Sequence, residues 1–309
     1  MTSTVLVTGA TGFVGGAVTR ALLGTGHQVV ALVRDEAAAG PLAAAGARLA
    51  VGDLHRPETL RTAVPGVDAV VHTAQLRVRR AGARALRRIA AADRVATAAL
   101  AEACLAAGAR LVYTSGAMVW GDHGEDWIDE RTPMTPSPLG VGKAAVVRRL
   151  RALQERGLDS VVLHLGFVYG AGSTFRTAFY QPARRGLLRC IGPGDNYWSP
   201  VHVDDVATAF VAALERAPAG AEYAVADDQP LPLRALVDQL TDALGRRRVG
   251  SVPPWLVGLV AGAPTAVSLA TSYRTSNAKA RAELGWTPGH PTFAAGLPAA
   301  LAALAGSAR

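Results

Sequence analysis

Residues Thr4 to Gly16 read Thr-Val-Leu-Val-Thr-Gly-Ala-Thr-Gly-Phe-Val-Gly-Gly. The β-branched run Thr4, Val5 and Val7 predicts a short buried strand, and Ala17 to Leu23 predicts a helix. Between them lie Gly9, Gly12 and Gly15, spaced by three. Strand, glycine turn and helix is the layout that points a helix N-terminus at a phosphate. Gly9 permits the tight turn. Gly12 lets backbone approach a pyrophosphate, and Gly15 lets helix and strand pack closely. The spacing differs from the commoner Gly-x-Gly-x-x-Gly fingerprint, and a glycine triplet alone also fits an ordinary strand-to-helix turn.

Outward from this stretch, strands alternate with helices. Gln28 to Val33, Arg48 to Val51, Ala69 to Thr73, Arg110 to Thr114 and Ser160 to Leu165 read as strands. Arg84 to Ala107 and Gly140 to Arg156 read as helices. Apolar strands separated by helices predict an α/β fold with a parallel sheet covered on both faces. The 309 residues suffice for one large domain or a domain with a lobe.

The second strand ends in Arg34, where NAD-binding sheets carry an acid for the ribose 2′-hydroxyl. A guanidinium suits the 2′-phosphate of NADPH (NADP+). Asp35 and Glu36 follow directly and keep NADH open; Arg34 also reads as a solvated turn charge.

Composition narrows the partners. The net charge is +8, and Lys143 and Lys279 are the only lysines. An arginine- and alanine-rich chain goes with GC-rich coding, so the charge is not taken as a nucleic-acid signal. Six arginines fall between Arg77 and Arg88 without interleaved aromatics for base stacking. They predict a solvated helix face or loop. Cys104 and Cys190 suggest neither a metal site nor a disulfide, as in a reducing cytoplasm. A polar N-terminus followed at once by a strand reads as no signal peptide. Trp255 to Ala270 is apolar but short for a membrane span, and it contains Gly262 and Pro264. It predicts a helix lining a pocket. The expected partner is a small aromatic molecule, with no nucleic acid and no membrane, and the oligomer is left open.

The octet Thr8 to Gly15 resembles the opening of the extended short-chain dehydrogenase/reductase family, relatives of the NAD-dependent epimerases and dehydratases. The likeness continues to Pro288. Asn196 to Ala207, containing Val201-His202-Val203-Asp204-Asp205, matches a segment joining two lobes, and Ser276 to Pro288 matches a C-terminal helix signature. The resemblance implies a Rossmann doubly wound parallel sheet with a smaller C-terminal substrate-binding lobe. The NADP-binding domain would take residues 1–170 and 201–226, and the lobe 171–200 and 227–309. It implies cofactor contacts from Gly9, Thr11, Gly12, Phe13, Val14 and Gly15. Asp53 and Leu54 would meet the adenine, although Asp53 also reads as a turn or helix cap. His72-Thr73-Ala74-Gln75 stands for a His-x-Ala-Ala-like turn with Ala74 near the cofactor. Gly166, Phe167 and Val168 fall in the segment His164 to Gly172, which keeps the family's backbone frame without its arginine and proline.

The family's acid is the tyrosine of Tyr-x-x-x-Lys, four residues apart on one helix face. Here Lys143 is present, read as a ribose contact, and the tyrosine position holds Leu139. The family's catalytic serine falls on Gly116, with Ser115 one place earlier. Three readings follow. The first is an NADPH-dependent ketoreductase acting on an aromatic polyketide, angucyclinone-like, whose own phenol supplies the proton chemistry. This reading resembles atypical members in actinobacterial antibiotic pathways. The second is a reductase with a displaced acid: Ser115, His164, His202 or a water. The third is a non-catalytic NAD(P)-binding regulator. His164 also reads as a strand histidine with local hydrogen bonds, and His202 with the Asp pair as architecture. Ser115, Trp120, Trp127, Phe167, Tyr180, Tyr197 and Trp198 are candidate substrate walls, each also readable as core.

Overall fold

The opening strand forms as β1 (Thr4–Thr8) in a computed structural model that describes residues 2–75, 83–172 and 174–306. The helix after it, α1 (Phe13–Gly24), starts four residues before its apolar run. Gly12 is therefore its N-cap, and Gly15 lies inside its first turn. The other expected strands form as β2 (Gln28–Val33), β3 (Arg48–Val51), β4 (Ala69–His72), β5 (Arg110–Gly116) and β6 (Ser160–Leu165). Short strands β7 (Phe167–Tyr169), β8 (Cys190–Ile191), β9 (Tyr197–Trp198) and β10 (Pro200–His202) lie outside the main sheet, which β11 (Glu222–Val225) completes.

The seven strands run in the order β11-β6-β5-β4-β1-β2-β3, and every pairing is parallel. The chain goes from β1 outward to β3, then crosses to β4 on the other side of β1. That reversal leaves a crevice at the carboxyl ends of β1 and β4.

Connecting helices α2 (Gly40–Ala44) and α3 (Pro57–Ala63) are short; α4 (Ala83–Ala107), α5 (Val141–Gln154) and, after α6 (Gln181–Arg184), α7 (Val203–Arg216) are long. Side chains of β1 alternate between two cores. Val5 and Val7 join Val18 and Leu22 of α1 and Phe210 of α7. Leu6 faces the other way, with Leu100 of α4 and Val147 of α5. Burial on both faces is why the strands read as continuous apolar runs. Arg87 and Arg88 are exposed on α4, as expected; Arg77, Arg79 and Arg80 lie outside the described residues. Both cysteines are buried and free.

A separate core forms the lobe. Phe175, Phe179 and Tyr180 of a π-helical segment (Phe175–Tyr180) pack with Trp198 and Phe293. The rest comes from β12 (Leu231–Pro232) and α8 (Leu233–Ala243), with α12 (Phe293–Gly306) added later in the chain. Between these lie β13 (Ser251–Val252), α9 (Pro254–Ala261), α10 (Ala263–Leu269) and α11 (Ala278–Leu284). Residues 278–286, expected in the lobe, pack instead on the sheet domain: Ala280, Leu284 and Trp286 join the α7 core. Asp205 secures this return. Its carboxylate accepts from the N–H groups of Gly289 and His290 and pairs with His290 Nδ1 at 3.0 Å. His202 Nδ1 accepts from Asp204 N–H and caps α7. These contacts fit the architectural reading of the His-Val-Asp-Asp segment.

Candidate active site

The crevice opens at the glycine turn. Gly9 holds φ at +74°, where only glycine is unstrained, and Gly12 N–H donates to its carbonyl at 2.7 Å. A Cβ on Gly9 would meet the Ala74 backbone at 2.7 Å. A Cβ on Gly15 would overlap the Gly9 carbonyl oxygen and come within 2.5 Å of Thr73 Oγ1. Bare backbone is thus required where β1, α1 and the turn after β4 meet. No side chain caps α1, and no acid stands in its first turn. Its free N–H groups and positive dipole end face the crevice, which fits a pyrophosphate.

The crevice is a cavity of about 990 Å³. Gly9, Thr11, Gly12, Phe13, Val14 and Gly15 line it, as do Arg34, Asp53, Leu54 and Ala74. Lys143, Gly166, Phe167 and Val168 complete the set of residues expected to face a cofactor. Arg34 is exposed at the rim, and Asp35 and Glu36 are not in the lining. Asp35 is turned to its own chain, accepting from Ala37 N–H at 2.9 Å. Asp53 closes a turn by accepting from His55 N–H, the plainer of its two readings, and it also lines the cavity. His72 is not in the lining. It stands beneath, between Thr8 Oγ1 at 2.6 Å and Thr97 Oγ1 at 3.1 Å. Burial pushes its pKa down to about 4, with Asp93 opposing.

The same cavity is lined by the two residues expected, from the resemblance, at the places of the family's tyrosine and serine. These are Leu139 and Gly116, and neither can donate a proton from a side chain. Lys143, in the first turn of α5 and four residues after Leu139, pairs with Asp93 of α4 at 3.4 Å and lies 4.8 Å from the Tyr113 ring centre. Burial pulls the Lys143 ammonium below its ordinary value, with Asp93 pulling back. Thr114 Oγ1, Ser115 Oγ and Trp198 Nε1 are buried without a protein hydrogen-bond partner, and all three residues line the cavity. These three donor atoms are therefore closed off from the cavity as well as unpaired.

Sequence reading missed Tyr273. It lines the cavity, and its hydroxyl donates to Ser137 Oγ at 2.8 Å, two residues before Leu139. Burial raises its pKa. No local motif marks it; only the fold brings residues 268–273 against 137–139, where Leu139 N–H also donates to Ser268 Oγ.

Several expected residues are elsewhere. Trp120 is 2% exposed and packs on His164, 4.6 Å between ring centres. Tyr180 is buried in the lobe core. Tyr197 sits under Arg274, whose guanidinium is 4.9 Å from its ring centre; Trp127, on the other side of Arg274, is 54% exposed. None of these four reaches the cavity; Phe167 and Trp198 do. His164 is fully buried on β6 with Nε2 2.9 Å from Glu222 Oε2, and it does not face the cavity. Burial would raise Glu222, but hydrogen bonds from His164 and Arg151 outweigh it and hold the carboxyl at about 2. His202 faces His290, also away from the cavity. As displaced acids both are excluded by position; Ser115 is not. The Trp255 to Ala270 segment is likewise no pocket wall, contributing Leu269 alone.

Known proteins resemble this chain in sequence and fold. The profile of the NAD dependent epimerase/dehydratase family matches residues 5–226. A 3-diazoavenalumate denitrifying reductase from a Streptomyces species is 34% identical, over 95% of this chain and 98% of its own. A 4-hydroxy-2-methyl-3-oxo-4-farnesyl-3,4-dihydroquinoline-1-oxide ketoreductase from Stigmatella aurantiaca is 31% identical, over 80% of this chain and 75% of its own. Among solved structures, a dTDP-glucose 4,6-dehydratase from Streptomyces venezuelae with NAD bound superposes with a TM-score of 0.82 at 24% identity, covering 98% and 97% of the two chains. The chain belongs to the NAD-dependent epimerase/dehydratase family, within the extended short-chain dehydrogenases/reductases.

Proposed function

We propose that this protein is an NADPH-dependent ketoreductase whose substrate, an aromatic polyketide of angucyclinone type, supplies its own proton chemistry. One observation carries the reading. The residues expected to hold a cofactor line one cavity, while the two positions that would be expected to protonate a ketone hold Leu139 and Gly116. Arg34 at the rim, with Asp35 turned away, favours a 2′-phosphate.

Bound in this cavity, a dihydronicotinamide supplies a hydride. The remaining demand falls on the carbonyl oxygen, which takes up the displaced π-electron pair. A simple ketone would leave a strongly basic alkoxide with no acid beside it. A phenol hydrogen-bonded to the carbonyl passes its proton to that oxygen and becomes a phenolate, far less basic, which takes a proton from water later. Thr114, Ser115 and Trp198 carry unpaired donors beside the cavity, and turning one toward the substrate would stabilise the developing charge without giving up a proton. Lys143 would hold the ribose.

The test follows NADPH absorbance with hydroxylated polycyclic quinones, their methyl ethers and simple ketones. Phenolic compounds should turn over, and methylation should slow them by about 10²- to 10⁴-fold, the usual value of a placed acid. Full activity on the ethers refutes the reading. A loss of that size in Ser115→Ala or Tyr273→Phe, with NADPH affinity kept, moves the acid back to the protein. No turnover with intact NADPH binding favours a regulator.

The missing acid also favours a second acceptor, a diazoarene of the kind named in the Streptomyces relative. Hydride adds to the carbon bearing the diazonium, the C–N bond breaks, and its electron pair leaves with N2. No proton is needed. Stoichiometric N2 release from an arenediazonium would support this.

A further inference from the structure

Residues 249–273 contain no aspartate, glutamate, lysine, arginine or histidine. Within them α9 buries no residue at all. A surface helix of a globular domain normally covers an apolar stripe against the core. This one is apolar around its circumference and faces solvent: Trp255 is 67%, Leu259 75% and Val260 87% exposed. Gly262, at φ +88°, turns the chain so that α10 packs back on α9. Val267 of α10 adds to the patch at 54% exposed, while Ala266 and Ser268 anchor the hairpin below. Lone exposed apolar residues are ordinary, but a charge-free cluster on adjoining turns is an interaction surface.

The segments that lead into the patch are basic. β13 pairs with β8 and brings residues 246–248 beside residues 184–189, and Arg246 Nη2 donates to the Arg184 carbonyl at 2.6 Å. Arg184, Arg185, Arg189, Arg246, Arg247 and Arg248 are all exposed there. The acids at this corner are Asp195, Asp238 and Asp242, and Asp238 is already shared by Arg234 and Arg248.

We infer that α9 and the arginines that precede it in the chain dock this protein onto an anionic lipid surface. No helix among the described residues is long and apolar enough to cross a membrane. At eight residues α9 is about 12 Å long and would lie in the interface. Trp255 suits the headgroup level, and arginines beside an apolar face suit anionic headgroups. Charge decides against a second copy, because a twofold interface sets the same patch against itself and opposes two sets of the same arginines. α10 runs from the patch to Leu269 in the cavity wall, so docking brings the cavity close to the bilayer.

The test sediments the full chain with vesicles of phosphatidylcholine alone or mixed with phosphatidylglycerol. Binding should need phosphatidylglycerol and fall with salt. Leu259→Asp/Val260→Asp should lower partitioning at least about tenfold. Arg246→Ser/Arg247→Ser should weaken it and flatten its salt dependence. Circular dichroism and NADPH affinity, unchanged in both variants, separate these losses from unfolding. The inference is overturned if wild type stays in the supernatant with the anionic vesicles, or if Leu259→Asp/Val260→Asp pellets as wild type does. A dimer that the same variant dissociates, without vesicle binding, gives the face to a second copy and also overturns it.

Discussion

Replacing Lys143 with methionine separates what the lysine does for the fold from what it does for the cofactor. Its ammonium is 3.4 Å from Asp93 Oδ2, and the two side chains are 17% and 11% exposed. Asp93 Oδ1 is buried without a partner, so the lysine is the carboxylate's main compensation. Breaking a buried pair by removing one member costs about 3–5 kcal/mol. This pair touches the cavity, so the lower end, about 3 kcal/mol, is expected for Lys143→Met in urea unfolding. Asp93→Asn/Lys143→Met removes both charges and should return to within about 1 kcal/mol of wild type, because a buried pair contributes little net. NADPH affinity should behave differently. It should fall in both variants, by about 10- to 100-fold, the loss of one charge-assisted hydrogen bond. Fluorescence titration measures it. If the double variant binds NADPH as wild type does, Lys143 is structural only. If Lys143→Met unfolds like wild type, the pair is not buried as described.

Gly15→Ala should abolish NADPH binding and destabilise by about 1–3 kcal/mol, because the added carbon overlaps the Gly9 carbonyl; Gly24→Ala, with nothing within 4 Å, should do neither. Arg34→Asp should turn a preference for NADPH into one for NADH, read as the ratio of the two dissociation constants; an unchanged ratio would place the 2′-phosphate elsewhere. Asp227→Asn should stabilise the fold in a pH-dependent way. Burial, aided by Asp228 and Asp205, lifts this carboxyl to about 8, and its Oδ2 has no partner. Unfolded, it ionises near about 4. The folded state therefore holds a proton that the unfolded chain releases, and the penalty grows from about pH 4 to about pH 8 and is constant above. An asparagine that still accepts from Gln229 N–H should gain up to about 5 kcal/mol above pH 8 and nothing below pH 4; equal gains at both would refute the assignment.

What could be read from the sequence was what backbone imposes on residue type. Gly9 and Gly15 were legible because no other residue fits a positive φ or a carbonyl within van der Waals contact. The strands were legible because both faces of the sheet are covered. The start of α1 was not, since Phe13-Val14-Gly15-Gly16 has little helix propensity and the Gly12 to Gly9 turn sets the first turn instead. β5 runs past Thr114 to Gly116 because its last two residues pair with His164 and Leu165 of β6, a partner no local pattern reports.

Side chains of the site divide the same way. Trp120, Tyr180 and Tyr197 misled because a large aromatic ring serves a core as readily as a cavity wall, and composition does not distinguish the two. His164 looked like a candidate acid until Glu222, far along the chain, took its Nε2. Tyr273 was invisible for the converse reason: its hydroxyl meets Ser137 only after the chain returns from the lobe. The readings at Leu139 and Gly116 rest on the resemblance, which sets those positions against Lys143, and the structure adds that both line the cavity. Their consequence now has a physical form. Among the described residues, the titratable side chains lining the cavity are Arg34, Asp53, His55, Lys143 and Tyr273. Arg34 and Asp53 belong to the glycine-turn end with His55, two residues after Asp53, and Lys143 is tied to Asp93. Tyr273 already gives its proton to Ser137 and is held neutral by burial. Under the proposed function, a site so lined would bind and orient a hydride acceptor better than it would protonate one, and acceptors able to carry the charge themselves would be favoured.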